Sequence, residues 1–161
     1  MLRLVPDTST LVAGTISLQG TAAEIIAAWR DGGVAVVTCE EIITEYQVVL
    51  NRSSIRRRYR HITGDTIAAS VTTLREYGQL VTVAQVPRVV VRDPGDDVIL
   101  ACATAGDADY VVSRDRDLLD LVAYRGIPIV TERTFLSILE HRVREEGAAY
   151  QPTAVQSMAR L

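Results

Sequence analysis

The chain has 161 residues, 48% of them apolar and 23% charged, and carries a net charge of −3 at pH 7. That length suits one domain with a sizeable core, and the acidic balance argues against a general nucleic-acid-binding protein. All 17 basic residues are Arg and none is Lys, which excludes chemistry that needs Lys, including the phosphate-binding P-loop and Schiff-base catalysis. No apolar run approaches the roughly 20 residues of a membrane-spanning helix. The stretch from Met1 to Pro6 is too short to act as a signal peptide, so a cytoplasmic location is expected. Cys39 and Cys102 lack the paired spacing of a zinc site and read as small core residues.

In chain order, Leu2 to Pro6 reads as a strand ended by its proline. Thr21 to Glu24 has the spacing of a capping box and opens a helix that stops at Gly32 and Gly33. Val34 to Val37 is apolar throughout, as a strand buried on both faces would be. Thr38 to Glu41 repeats the capping-box pattern and starts a helix to about Leu50. Arg52 to His61 reads as a short helix rich in Arg. Ile67, Val71 and Leu74 recur at helical spacing before Gly78. Strands are expected over Leu80 to Val86 and Val89 to Val91. Asp96 or Asp97 then opens a helix through Ala105, closed by Gly106. Tyr110 to Val112 and Ile127 to Val130 read as strands, with a short helix from Leu118 to Tyr124 between them. Thr131 caps a last helix whose apolar side carries Phe135, Ile138 and Leu139. This alternation predicts an α/β fold, a mainly parallel central sheet in three α/β/α layers. The domain is expected over residues 1–144, followed by a tail, 145–161, that is mobile or docked on a partner.

The acidic residues carry the chemistry. Asp93, Asp96, Asp97, Asp107, Asp109, Asp115, Asp117 and Asp120 fall in one short stretch, and Asp7 ends the first strand. Carboxylates at the C-terminal ends of successive strands converge on one crevice in an α/β sheet. Several anions share a crevice only with protons or a cation, so convergence implies a hard ion such as Mg²⁺ or Mn²⁺. Glu45 falls beside Val49 at the border of its helix's apolar arc, where it either snorkels to solvent or points along the packed face toward a metal. Asp93, Asp96 and Asp97 exceed what one helix cap needs, and the same holds for Asp115 with Asp117. Arg52, Arg56, Arg57, Arg58 and Arg60 form a cluster without an acid, suited to tracking a phosphate backbone.

Four blocks carry a family resemblance: Asp7 to Ser9 after the first strand, Glu45 in an early helix, Arg92 to Asp97 before Ile99, and Ala108 to Leu119. Together, from about Leu2 to Leu136, they resemble the PIN-domain nucleases, and most of all the VapC-like toxin components of toxin–antitoxin systems. The resemblance implies a metal-dependent endoribonuclease with its acidic site on Asp7, Glu45, Asp97 and Asp115. Metal would sit on Asp7, Asp97 and Asp115, with Asp117 in addition, and Asp93 and Asp96 would form the acidic turn without ligating. Ser9 stands where relatives commonly carry Asn, Ser113 where Thr or Ser is usual, and both would support the site. Arg114, at a position often held by Gly, and Arg116 flank the site and could meet the scissile phosphate. The implied partners are RNA, a cognate antitoxin and a second copy of the chain, without a membrane.

Two other classes fit less well. A non-catalytic RNA- or partner-binding module on the same fold would be expected to have lost metal carboxylates, yet all four blocks are acidic. A haloacid-dehalogenase-like phosphatase wants a second Asp two positions after Asp7, where Ser9 stands. That enzyme and a response-regulator receiver both commonly use a Lys, which this chain lacks.

Overall fold

The computed structural model describes residues 1–90 and 93–149. The elements are β1 (Leu2–Pro6), α1 (Thr8–Ile16), α2 (Thr21–Arg30), β2 (Val34–Thr38), α3 (Glu40–Leu50), α4 (Ser53–Arg58) and α5 (Gly64–Tyr77). They continue with β3 (Gln79–Leu80), α6 (Pro94–Ala105), β4 (Tyr110–Val112), α7 (Arg116–Leu119), β5 (Ala123–Tyr124), β6 (Ile127–Val130) and α8 (Glu132–Ala149). The sheet runs β3-β2-β1-β4-β6-β5, parallel except where β5 meets β6. This is the mainly parallel α/β sheet expected from the alternation of elements.

Side chains along each strand alternate between two cores, as the pleat requires. Val5, Val37 and Val111 join one cluster with α1, α3, α5 and α6. Leu4, Val36 and Val112 join the other with Ile25 of α2 and Phe135 of α8. Both faces of the central strands are thereby buried, which is why β2 carries no alternating polar residue. Cys39 and Cys102 are fully buried free thiols in the first core. Helices α1 and α2 pack closely at Gly14, where a Cβ would come within 2.6 Å of Ile26 Cγ1. No single helix among the described residues is long and apolar enough to cross a membrane.

Several local expectations are corrected. Helix α1 fills a stretch given no element, with Asp7 as its N-cap. Neither proposed capping box forms. Gly20 and Cys39 are the N-caps of α2 and α3, without side-chain cap bonds. The Thr21 hydroxyl donates instead to Glu132 at 2.6 Å, and Thr38 Oγ1 is buried without a partner. The strands expected over Leu80 to Val91 reduce to β3; residues 81–90 form no regular element, and Val91 lies outside the described residues. The N-cap of α6 is Asp93, whose Oδ1 accepts from the Gly95 N–H, rather than Asp96 or Asp97. After α7 the chain turns into β5 where the short helix was expected to continue. Arg125 and Gly126, at φ 47° and 78°, make the two-residue turn of the β5–β6 hairpin. Helix α8 runs into the first residues of the expected tail, of which 150–161 lie outside the described residues.

Candidate metal centre and adjoining groove

The chain leaves β1 toward β2 on one side, while β4 leads to β6 on the other. The sheet therefore reverses its winding between β1 and β4, and loops at the C-terminal ends of those strands diverge to open a crevice. Asp7 follows β1 and Ser113 to Asp115 follow β4, so the topology alone brings them together. The Asp7 N–H donates to Val112 O, which fixes the depth of Asp7 in the crevice.

Asp7 is buried and fully engaged by donors. Its Oδ1 accepts from the Thr10 N–H at 2.8 Å and the Ser9 hydroxyl at 3.0 Å. Its Oδ2 accepts from the Ser113 hydroxyl at 2.5 Å and, weakly, from the Arg114 N–H at 3.4 Å. Ser113 Oγ in turn accepts from the Asp115 N–H at 2.9 Å. One serine thus spaces the loop after β4 from the end of β1. Ser9 and Ser113, named above as supporting residues, thus each donate a hydroxyl to Asp7.

Asp96 has the opposite surroundings. It is 7% exposed, and its Oδ2 finds no hydrogen-bond partner among the described residues. Asp93, Asp96 and Asp115 each present a carboxylate oxygen, all within 4.8 Å of one another. Burial first, and then the charges of Asp115, Asp93 and Asp7, push the Asp96 carboxyl up to about 8. A buried oxygen without a donor, in a side chain grouped with two other carboxylates, is what a hard cation would satisfy. The residues present therefore fit a divalent ion.

Asp97, expected as a ligand, is placed otherwise. Its Oδ1 accepts from the backbone N–H of Val89 at 2.9 Å and of Val90 at 2.7 Å, tying the segment before α6 to that helix. Consecutive helical residues point about 100° apart, so when Asp97 faces that segment Asp96 faces the crevice. Asp115 lies in the cluster and also caps α7, accepting from the Asp117 N–H at 2.9 Å. Asp117 is half-buried in the first turn of α7, outside the three-carboxylate group.

Glu45 is exposed, and its Oε2 accepts from the Thr8 hydroxyl at 2.9 Å. It reaches the N-terminus of α6, for a Cβ on Gly95 would lie 3.6 Å from Glu45 Oε2 and 3.0 Å from Asp93 Oδ1. Gly95 thus lets the two carboxylates approach. Beside Glu45 runs a groove of about 560 Å³, walled by Thr8, Ser9, Arg52, Tyr59 and Arg114. Arg56, Arg57, Arg58 and Arg60, in α4 and just after it, are all exposed, with the Arg58 guanidinium 5.4 Å from the centre of the Tyr59 ring. Arg116 is exposed on the first turn of α7.

One residue of the site escaped sequence reasoning entirely. Glu132, the first residue of α8, is 4% exposed and accepts from Arg114 Nε at 2.5 Å and Nη2 at 2.9 Å. It also accepts from the hydroxyls of Thr10 at 3.0 Å and Thr21 at 2.6 Å. Burial raises its pKa, but bonds from Arg114, Thr21 and Thr10 outweigh that effect and hold it below the ordinary value. Only the cap spacing from Thr131 hinted at its position, and nothing local predicts partners 122 and 111 residues away.

No curated protein matches the chain. Among solved structures, the crystal structure of PAE2754 from Pyrobaculum aerophilum is similar in fold, with a TM-score of 0.54 at 20% identity over 87% of this chain and 90% of that one. The PIN-domain family model matches residues 3–117. That span takes in β1, Glu45, the acidic turn before α6 and the loop after β4, and by it the chain belongs to the PIN-domain family.

Proposed function

We propose that the protein is a metal-dependent endoribonuclease of the cytoplasm, the toxin of a toxin–antitoxin pair, which hydrolyses RNA phosphodiesters. PIN domains are generally nucleases and usually use a divalent metal. The observation that carries the reading here is Asp96, a buried carboxylate with an unpaired oxygen set against Asp93 and Asp115. Those three would hold Mg²⁺ or Mn²⁺, with Asp7 beside them. Such an ion lowers the pKa of water and offsets the charge that builds on phosphate during in-line attack. Glu45, exposed and held by a single hydroxyl, is suited to take a proton from the attacking water. Asp7, held by donors on both oxygens, fixes the loop that carries Asp115. Arg52 and the exposed Arg side chains of α4 suit an RNA backbone approaching along the groove.

A protein partner is supported by a different surface. An apolar groove of about 570 Å³ lies between α1, α2 and α5, bordered by Leu18 at 92% and Tyr77 at 74% exposure. Exposed apolar patches of this kind mark protein contacts, and an antitoxin segment would fill it.

The test is cleavage of single-stranded and structured RNAs by purified protein with Mg²⁺ or Mn²⁺. Asp96→Asn and Asp115→Asn should each lose at least about 100-fold in rate, a barrier increase of roughly 3 kcal/mol, while retaining RNA binding. Wild-type protein that cleaves no RNA with either ion present sinks the reading.

A further inference from the structure

We infer that Glu132 is a positioning residue that aims the Arg114 guanidinium at a phosphate of the RNA strand lying in the groove beside the acidic cluster. The inference rests on the nuclease reading above. Thr10 and Arg114 each bridge Asp7 and Glu132 in the same manner. The backbone N–H of each faces an Asp7 oxygen, at 2.8 and 3.4 Å. The side chain of each donates to Glu132, at 3.0 Å from the Thr10 hydroxyl and 2.5 Å from Arg114 Nε. Glu132 is therefore linked by two separate residues to the carboxylate that ends β1.

A buried carboxylate that only needed neutralising would require no such geometry. Two threonine hydroxyls already serve Glu132, and the two-pronged contact fixes the plane of the Arg114 guanidinium as well as its charge. That contact uses Nε and one Nη2 hydrogen, leaving the Nη1 edge without a partner among the described residues. The Arg114 side chain is 51% exposed while that of Glu132 is 5%. The guanidinium is thus anchored on its buried edge and open on the groove, which Arg114 lines together with Glu45 and Arg52. A planar donor held in one orientation suits the oxygens of a phosphate. Because Glu132 cancels the charge of Arg114, the pair acts through direction more than through net attraction. Its loss should appear in turnover before affinity.

The experiment compares wild type with Glu132→Gln, Arg114→Lys, Arg114→Gln and the Glu132→Gln/Arg114→Gln pair. Single-stranded RNA cleavage is measured with Mn²⁺, and binding to the same RNA is measured in chelator. Glu132→Gln should lower kcat at least about 10-fold while RNA affinity holds or tightens, since Arg114 regains an uncancelled charge. Arg114→Lys keeps Glu132 paired, guarding against a variant that fails to fold, and should show the same split, because a point charge cannot hold the planar contact. The double variant should turn over no more slowly than Arg114→Gln alone, the mark of residues acting as one unit. Rate losses that multiply in the double variant, or that accompany an equal loss of affinity, overturn the inference while leaving the nuclease reading intact. Wild-type protein that does not cleave overturns both.

Discussion

Two adjacent aspartates divide a structural and a chemical task, and Asp96 bears the cost. Its carboxyl sits at about 8 in the fold against about 3.9 in an unfolded chain. Between those values the metal-free native state binds a proton that the unfolded state does not. The contribution of Asp96 to stability is therefore full below about pH 4 and is lost as pH rises from there to about 8, by up to about 1.4 kcal/mol per pH unit. Glu132, shifted downward, contributes oppositely, losing stability only as pH falls below the ordinary glutamate range. Thermal melts from pH 5 to 8 therefore lie above the range in which Glu132 acts, and comparison with Asp96→Asn assigns the remaining trend. The metal-free wild type should melt at a lower temperature at pH 8 than at pH 5, Asp96→Asn should flatten that trend, and Mn²⁺ should reverse it only in wild type. An identical trend in both proteins would remove Asp96 as its source. The sequence showed that three acids before α6 were more than a cap needs. It could not show which of two neighbours faces the crevice, because that depends on the rotational setting of α6 against the sheet.

Among the elements, the segment before α6 depends on Asp97. Its Oδ1 serves two backbone N–H groups, and Val90 is buried. Asp97→Ala should cost about 1–3 kcal/mol, the penalty for donors left unsatisfied, measured by urea unfolding. Metal affinity by calorimetry should change little; lost metal binding at unchanged stability would return Asp97 to the ligand set. The strands that could be read from sequence are the ones whose burial dictates their composition, β1, β2, β4 and β6. Helix α5 was legible for the same reason, from Ile67, Val71 and Leu74 on one face. Residues 81–90 misled because a β-branched run satisfies strand propensity whether or not a neighbouring strand is available to pair with it. Helix α1 was hidden because Thr8, Thr10 and Val12 are weak helix formers, and its burial between β1 and α2 overrides that preference. The false capping boxes had the right spacing, but one threonine hydroxyl was claimed by a residue over a hundred positions away.

For the molecule as a whole, the family match ends at residue 117, but the sheet does not. β6 pairs with β4, Phe135 of α8 is fully buried, and Glu132 holds Arg114. A chain ending after Asp117 should therefore fail to fold, showing neither a cooperative melt nor a metal-induced shift; a folded, metal-binding fragment would contradict this account of the sheet. The separation matters in another way. Asp7 and Ser113, which hold the crevice together, stand 106 residues apart, and β1 reaches its neighbour β4 only after most of the polypeptide has been made. Chains emerge from the ribosome N-terminus first. Under the ribonuclease function proposed above, every shorter length of the growing polypeptide would be harmless to the messenger being translated. On that reading the ability to cut would arrive in a single step, when β6 and the glutamate behind it leave the ribosome and complete the sheet.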